Sequence, residues 1–365
     1  MPARLACPDC GATHDDRWRC HCDAPLSYER SLAADCPPDP PDPATLNRDR
    51  GLWAFTDLIP EPFVTHASLG EGFTPEVDAP EWGARMTIES VSPTASFKDR
   101  GATTTVARAL DLGVERIVDD SSGNAGAALA TYAARAGLDT EIYVPASVKT
   151  AKLRAIEAAG ATPVRVEGGR QAVTDACVEA AETGDVWYAS HAWCPAFLAG
   201  TATWAYEVAA RRDWQVPDAV VSPLGHGTLF LGAYRGFQAL REAGWTDRVP
   251  RLYGAQAAGV APIVAALHGS DAAGGDNSAA DGIQITEPVR IVEILRAVDE
   301  TGGDVLAIDR ERTEATLSRL HRAGLYVEPT CAVAPAALET LRDREAIRPD
   351  EDVVVPLTGS GLKIE

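Results

Sequence analysis

Lysine occurs only four times in this sequence, at Lys98, Lys149, Lys152 and Lys363, while 29 of the 33 basic residues are arginine. One of the four, Lys98, lies in the segment SPTASFKDRGA at 92–102, after Phe97 and just before an Ala/Thr-rich run with helical spacing. Arginine cannot give up its proton, whereas a partly desolvated lysine amine can. Schiff-base chemistry with a carbonyl cofactor needs that free amine. A chain that otherwise prefers arginine yet keeps lysine here points to covalent chemistry at Lys98. The alternative reading is a solvated charge at a helix start.

Three further segments carry ligand-binding chemistry. In DDSSGNAGAALATYAARAG at 119–137 a strand ends near Val118 and a helix begins around Asn124. The free N–H groups and positive dipole end of such a helix suit a carboxylate. Ser121 and Ser122 add hydroxyl donors. In SPLGHGTLFLGAYRGF at 222–237 a strand runs into a glycine-rich turn and a helix, an arrangement that suits a phosphate monoester or is simply a tight turn. In PLTGSGLK at 356–363, glycines after an apolar strand let Thr358 or Ser360 face a ligand.

The cysteines suggest a metal. Cys7 and Cys10 form a CxxC, followed after nine residues by Cys20 and Cys22 as a CxC. Two close pairs deliver four thiolates to one tetrahedral Zn²⁺, with His14 and His21 as alternative ligands. The competing reading is a degenerate ribbon that has lost its metal. Cys36 falls in DCPPDPPDP, which reads as an extended, solvated linker.

These residues need rigid elements to hold them. Apolar runs at 116–118, 141–145, 162–166, 218–223, 305–309 and 352–357 read as strands. Ala-rich segments at 124–136, 149–159 and 170–182 read as helices between them. Such alternation predicts an α/β fold with parallel sheets covered by helices. The small, acidic stretch at 269–282 reads as a surface loop.

Composition narrows the classes. The chain has 365 residues, 53 acidic and 33 basic, for a net charge of −20. Such a surface argues against nucleic acid, which requires positive charge to displace counterions. It fits a protein working in concentrated salt, where the screening length falls to about 3 Å at 1 M. No run of about 18 apolar residues predicts a membrane span. The opening residues lack a secretory apolar stretch, so a cytoplasmic location is expected.

Taken in order, the motifs resemble the threonine synthase branch of the fold-type-II pyridoxal-phosphate (PLP) enzymes. The resemblance runs from the cysteine knuckle at Cys7 to Leu26 through Pro93 to Gly101, with Ala95 where glycine is common. It continues through Ser121 to Asn124, Glu328 to Thr330, and Thr358 to Lys363. It implies two doubly wound parallel-sheet domains and an N-terminal zinc-ribbon-like knuckle. The implied boundaries are a knuckle at 1–30, a linker at 31–50, a larger PLP-binding domain of 51–85 plus 195–365, and a smaller inserted domain at 86–194. Roles follow from the same resemblance. Lys98 would form the Schiff base and move the substrate α-proton, and Asn124 would bond the cofactor's ring oxygen. Ser121, Ser122 and Gly123 would grip the substrate carboxylate. Gly225, His226, Gly227 and Thr228 would cradle the cofactor phosphate, and Thr358 would meet the pyridine nitrogen. Relatives are commonly homodimers.

The implied reaction converts O-phospho-L-homoserine to L-threonine and phosphate. Two departures bear on it: Phe197 stands where an arginine is usual, and Ala202 where a lysine is usual. The alternatives are β-elimination or replacement on another small amino acid, as in a serine/threonine dehydratase or a sulfo-amino-acid synthase, and a non-catalytic PLP-binding regulator. Trp193, Phe197 and Trp204 either line the pocket or are core, and His191 and Cys194 read as structural rather than nucleophilic.

Overall fold

The computed structural model describes residues 3–31, 33, 36–60 and 63–363. Three short strands open the chain: β1 (Leu5–Ala6), β2 (Thr13–His14) and β3 (Ser27–Tyr28). A hairpin of β4 (Glu76–Ala79) and β5 (Ala84–Ile88) follows. Next come α1 (Lys98–Asp111), β6 (Arg116–Asp119), α2 (Asn124–Ala136) and β7 (Asp139–Pro145). They are followed by α3 (Thr150–Ala158), β8 (Thr162–Val166), α4 (Arg170–Thr183), β9 (Trp187–Tyr188) and α5 (Pro195–Ala210). The next elements are β10 (Ala219–Pro223), α6 (Thr228–Glu242), β11 (Arg251–Ala257), α7 (Pro262–His268) and α8 (Ile291–Thr301). The chain finishes with β12 (Asp304–Ile308), α9 (Arg310–Arg322), α10 (Pro329–Asp343) and β13 (Val353–Leu357).

Two compact units result. The first comprises Met1–Cys36, Asn47–Glu71 and Lys98–Thr201, and the second Pro37–Leu46, Gly72–Phe97 and Ala202–Glu365. These limits differ from the expected domain boundaries: the segment Asn47–Glu71 belongs with the smaller unit, and the break falls directly before Lys98.

In the first unit a parallel sheet runs β8-β7-β6-β9. Its core joins Ile117 and Ile142 to Val106 of α1 and Leu129 of α2. Small residues let α5 approach α1 closely. A Cβ on Gly200 would lie 1.9 Å from the Arg100 carbonyl oxygen, and one on Gly101 would lie 2.3 Å from the Phe197 ring. The knuckle is an antiparallel sheet, β2-β1-β3. Arg108, deeply buried on α1, bonds the Asp16 carboxylate at 2.9 Å, and Trp187 donates to the other Asp16 oxygen at 2.9 Å. Trp18 adds edge contacts to Tyr188 and Trp193. The knuckle is thereby fixed to the helix that begins with Lys98.

In the second unit the sheet order is β12-β11-β10-β13-β5-β4, parallel apart from the β4–β5 pair. Every residue of β10 and β13 is buried, the pattern of strands covered on both faces. The two segments expected at the surface are mostly exposed, and each is also anchored. The proline-rich segment is exposed but strapped down: the Trp245 and Trp214 indoles donate to the carbonyls of Pro37 and Pro41. The 269–282 loop is anchored by buried Asn277, which donates to the Ile308 carbonyl at 2.7 Å and the Thr313 hydroxyl at 2.8 Å. Among the described residues no helix is long and apolar enough to cross a membrane.

Candidate active site

Lys98 is the first residue of α1 and is half-buried. Its Nζ lies 5.5 Å from the centre of the Phe197 ring, so one wall beside the amine is an aromatic face. Phe197 itself is 2% exposed and packs edge-on against His191. The segment before the lysine is bent: Ala95 takes φ +61°, a left-handed conformation that glycine would adopt without strain. The bend is held where the Ser360 N–H donates to the Ala95 carbonyl at 3.0 Å.

In the same unit β6 ends at Asp119 and α2 starts at Asn124, with Gly123 as its cap and no side-chain bond to the first turn. A helix start without a side-chain cap, at the positive end of its dipole, suits an anion. Gly126 makes the turn possible, because a Cβ there would sit 1.8 Å from the Ser121 carbonyl oxygen. The sequence reading missed Gly126, although a glycine inside an alanine-rich helix was its signal.

Asp119 was also missed. It is 1% exposed; its Oδ2 accepts from the Ser121 N–H at 3.2 Å, and its Oδ1 has no hydrogen-bond partner. Burial, then repulsion from Asp120, pushes its carboxyl up to about 8, against partial relief from Arg170 and Lys98. A folded-state value above the ordinary 3.8 stabilises the fold below about pH 4, and that stability is lost as pH rises toward 8. Asp119→Asn is therefore expected to gain on wild type by on the order of 1 kcal/mol per pH unit across that window. Thermal melts of both proteins from pH 4 to 9 check this; a constant gap in Tm would contradict it.

The second unit carries its own groups. Gly227, with φ +78°, caps α6 without a side-chain bond. A Cβ on Gly225 would crowd Ile283 at 3.1 Å, and at Gly227 the left-handed φ itself would strain a side chain. Gly225, Gly227 and Thr228 are buried and His226 is half-buried. The hydroxyls of Ser96 and Ser222 are buried with no hydrogen-bond partner. Thr358 follows β13; the Phe97 N–H donates to its carbonyl at 3.0 Å, and the next residue in the chain is Lys98. The start of α6, which has no side-chain cap, and the two partnerless buried hydroxyls of the same unit suit a phosphorylated cofactor such as PLP. A separate cavity of about 200 Å³ opens between β12 and α9, lined among others by His268, Arg312 and Arg344, and contains none of the expected site residues.

The knuckle thiols converge. Sγ atoms of Cys7 and Cys22 lie 3.5 Å apart, as do those of Cys10 and Cys20, and all four fall within 4.8 Å of one another. Four ligands at about 2.3 Å from a metal stand roughly 3.8 Å apart in a tetrahedron, so the set fits a Zn²⁺. His14, Cys20 and His21 form a second group of the same compactness.

Trp204 donates to the Thr87 hydroxyl at 2.9 Å and abuts Phe237. Cys194 is buried, and burial raises its thiol.

The chain is similar to proteins of known family. Residues 67–359 match the family described as "Pyridoxal-phosphate dependent enzyme". The chain is 33% identical to threonine synthase of Methanocaldococcus jannaschii over 330 residues, covering 87% of this chain and 81% of the relative. It is 33% identical to threonine synthase of Methanosarcina acetivorans over 328 residues, 86% of this chain and 80% of that one. In fold it is similar to a PLP-dependent aspartate racemase, with a TM-score of 0.67, 22% identity, and coverage of 79% of this chain and 90% of the other. It is likewise similar to threonine deaminase isoform 2 of Solanum lycopersicum, with a TM-score of 0.66, 19% identity and 79% coverage of each chain.

Proposed function

This chain belongs to the pyridoxal-phosphate dependent enzymes and is a PLP-dependent lyase; from that premise we propose that its reaction is the conversion of O-phospho-L-homoserine to L-threonine and phosphate. The observation that carries the reading is the 33% identity to threonine synthases over most of the chain. PLP, when bound, supplies the electron sink that acidifies the substrate α-carbon. The protein's part is distributed as follows. Lys98 would hold the cofactor, and its amine is the group that would take and return the substrate α-proton. Ser121, Ser122 and Gly123, at the positive end of α2, bind the substrate carboxylate. Asn124 would bond the cofactor's ring oxygen. Gly225, His226, Gly227 and Thr228 would hold the cofactor phosphate at the start of α6. Thr358 would offer the pyridine nitrogen a neutral hydroxyl, a partner that suits elimination and replacement.

One observation favours a second reading. Phe197 is packed against Gly101 and His191, and Ala202, on the same helix, is fully buried. A substrate phosphate meeting those two residues rather than arginine and lysine would lose charge-assisted bonds worth roughly 1.5–3 kcal/mol each. An unphosphorylated, β-substituted amino acid has no such need. We assign the charge of −20 to a cytoplasmic protein of a salt-rich interior, and the four thiolates to Zn²⁺.

Assays with O-phospho-L-homoserine in concentrated salt separate the readings. Release of phosphate together with threonine is the expected outcome. PLP-loaded protein that releases neither would reject phosphohomoserine and turn screening to unphosphorylated amino acids.

A further inference from the structure

Thr358 is the residue assigned to the pyridine nitrogen, and a threonine hydroxyl can only serve there if its rotor is held. Its backbone is fixed by the Phe97 N–H and, next along the chain, by the pairing of Gly359 with Ser96. Its side chain is 4% exposed, and its hydroxyl lies 3.4 Å from the thiol of Cys331, on the first turn of α10. We propose that Cys331 is the positioning residue of this site, setting through its thiol the direction in which Thr358 presents its hydroxyl to the cofactor ring.

The thiol is itself held on two sides. The Gly359 N–H donates to Sγ at 3.3 Å, and the S–H reaches the Gly359 carbonyl at 3.4 Å. Cys331 has no exposed surface, and burial, with the nearby Glu328 carboxylate, pushes its thiol up to about 12. It therefore keeps its single proton under working conditions. With that proton on the Gly359 carbonyl, Thr358 donates to sulfur and turns a lone pair outward, toward a protonated ring nitrogen. With the proton turned onto the Thr358 oxygen, the threonine O–H is free for an unprotonated nitrogen. Sulfur serves both states because it is a weak donor and a weak acceptor. Glycine at 359 permits the arrangement: a Cβ there would lie 2.5 Å from the Glu328 carboxyl carbon.

The inference rests on the assignment of Thr358 to the ring nitrogen, and the experiment separates the two. The PLP-loaded Cys331→Ala, Cys331→Ser and Thr358→Val proteins are compared with wild type by the ratio of visible to near-ultraviolet cofactor absorbance and by the dissociation constant for PLP. Cys331→Ala is expected to change the ratio about threefold or more, Thr358→Val at least as much, and Cys331→Ser, which restores a hydroxyl, less than either. A Cys331→Ala spectrum equal to wild type beside an altered Thr358→Val spectrum would overturn the positioning role alone. Wild-type spectra from both would remove the Thr358 assignment and the inference with it. Should the alanine variant fail to fold, the serine variant carries the same comparison: it too should depart measurably from the wild-type ratio, and identity with wild type would count against the proposal.

Discussion

Lys98→Ala should lose the visible colour of the PLP-loaded protein and lower turnover by roughly 10³-fold or more, the scale of removing a positioned acid–base group. The loss should be specific. Lys98 sits half-buried at the first position of α1, so an alanine there leaves the helix and its buried face intact. The far-ultraviolet circular dichroism spectrum and the Tm of the apo variant should therefore match those of apo wild type. Absorbance, single-turnover assays and melting of the two apo proteins check the prediction together. Retained colour with retained turnover would move the covalent chemistry to another residue.

The second large effect concerns the knuckle. Protein purified without chelators should contain one zinc per chain by elemental analysis, and the double variant Cys7→Ser, Cys10→Ser should contain none. Without a metal Cys7 and Cys22 are driven in opposite directions. Burial opposes ionisation of Cys7, but backbone N–H bonds from Cys10 and Asp9 bring it down to about 7, while Cys22, against a backbone N–H bond from Ala24, is pushed up to about 12 by its neighbouring thiols and burial. A single Zn²⁺ relieves that competition, and structural zinc commonly contributes on the order of 10 kcal/mol of folding free energy. Losing it should reach beyond the knuckle. Asp16 is the carboxylate partner of Arg108, which is 0% exposed. Stranding a buried charge costs about 3–5 kcal/mol. Thermal melts of the double variant should accordingly show a large drop in Tm. A wild-type Tm, or full zinc content in the double variant, would contradict the account of the knuckle.

Contiguous motifs were legible in the sequence because their chemistry is local. Lys98, Ser121 to Asn124 and Gly225 to Thr228 each fall at a helix start that strand, turn and helix patterns locate within a few residues. The six apolar runs expected as strands match β6, β7, β8, β10, β12 and β13. β11 was not foreseen, since RLYGAQA mixes small and polar residues that become buried only between two neighbouring strands. The β4–β5 hairpin, with its exposed residues, gave little apolar signal.

What stayed hidden was long-range. The Arg108–Asp16 pair spans 92 residues and the Cys331–Thr358 contact 27, and neither partner announces the other. Asp119 looks like an ordinary turn aspartate until its burial is known. Phe197 was identified as a departure, but its fit into the space left by Gly101 depends on the packing of α5 on α1.

The central claim is that Lys98 carries the cofactor, and borohydride reduction of the PLP-loaded protein followed by peptide mass analysis tests it most directly. The account predicts a pyridoxyl group fixed to the peptide containing Lys98. A pyridoxyl group found on Lys149, Lys152 or Lys363, or on no lysine, would contradict it.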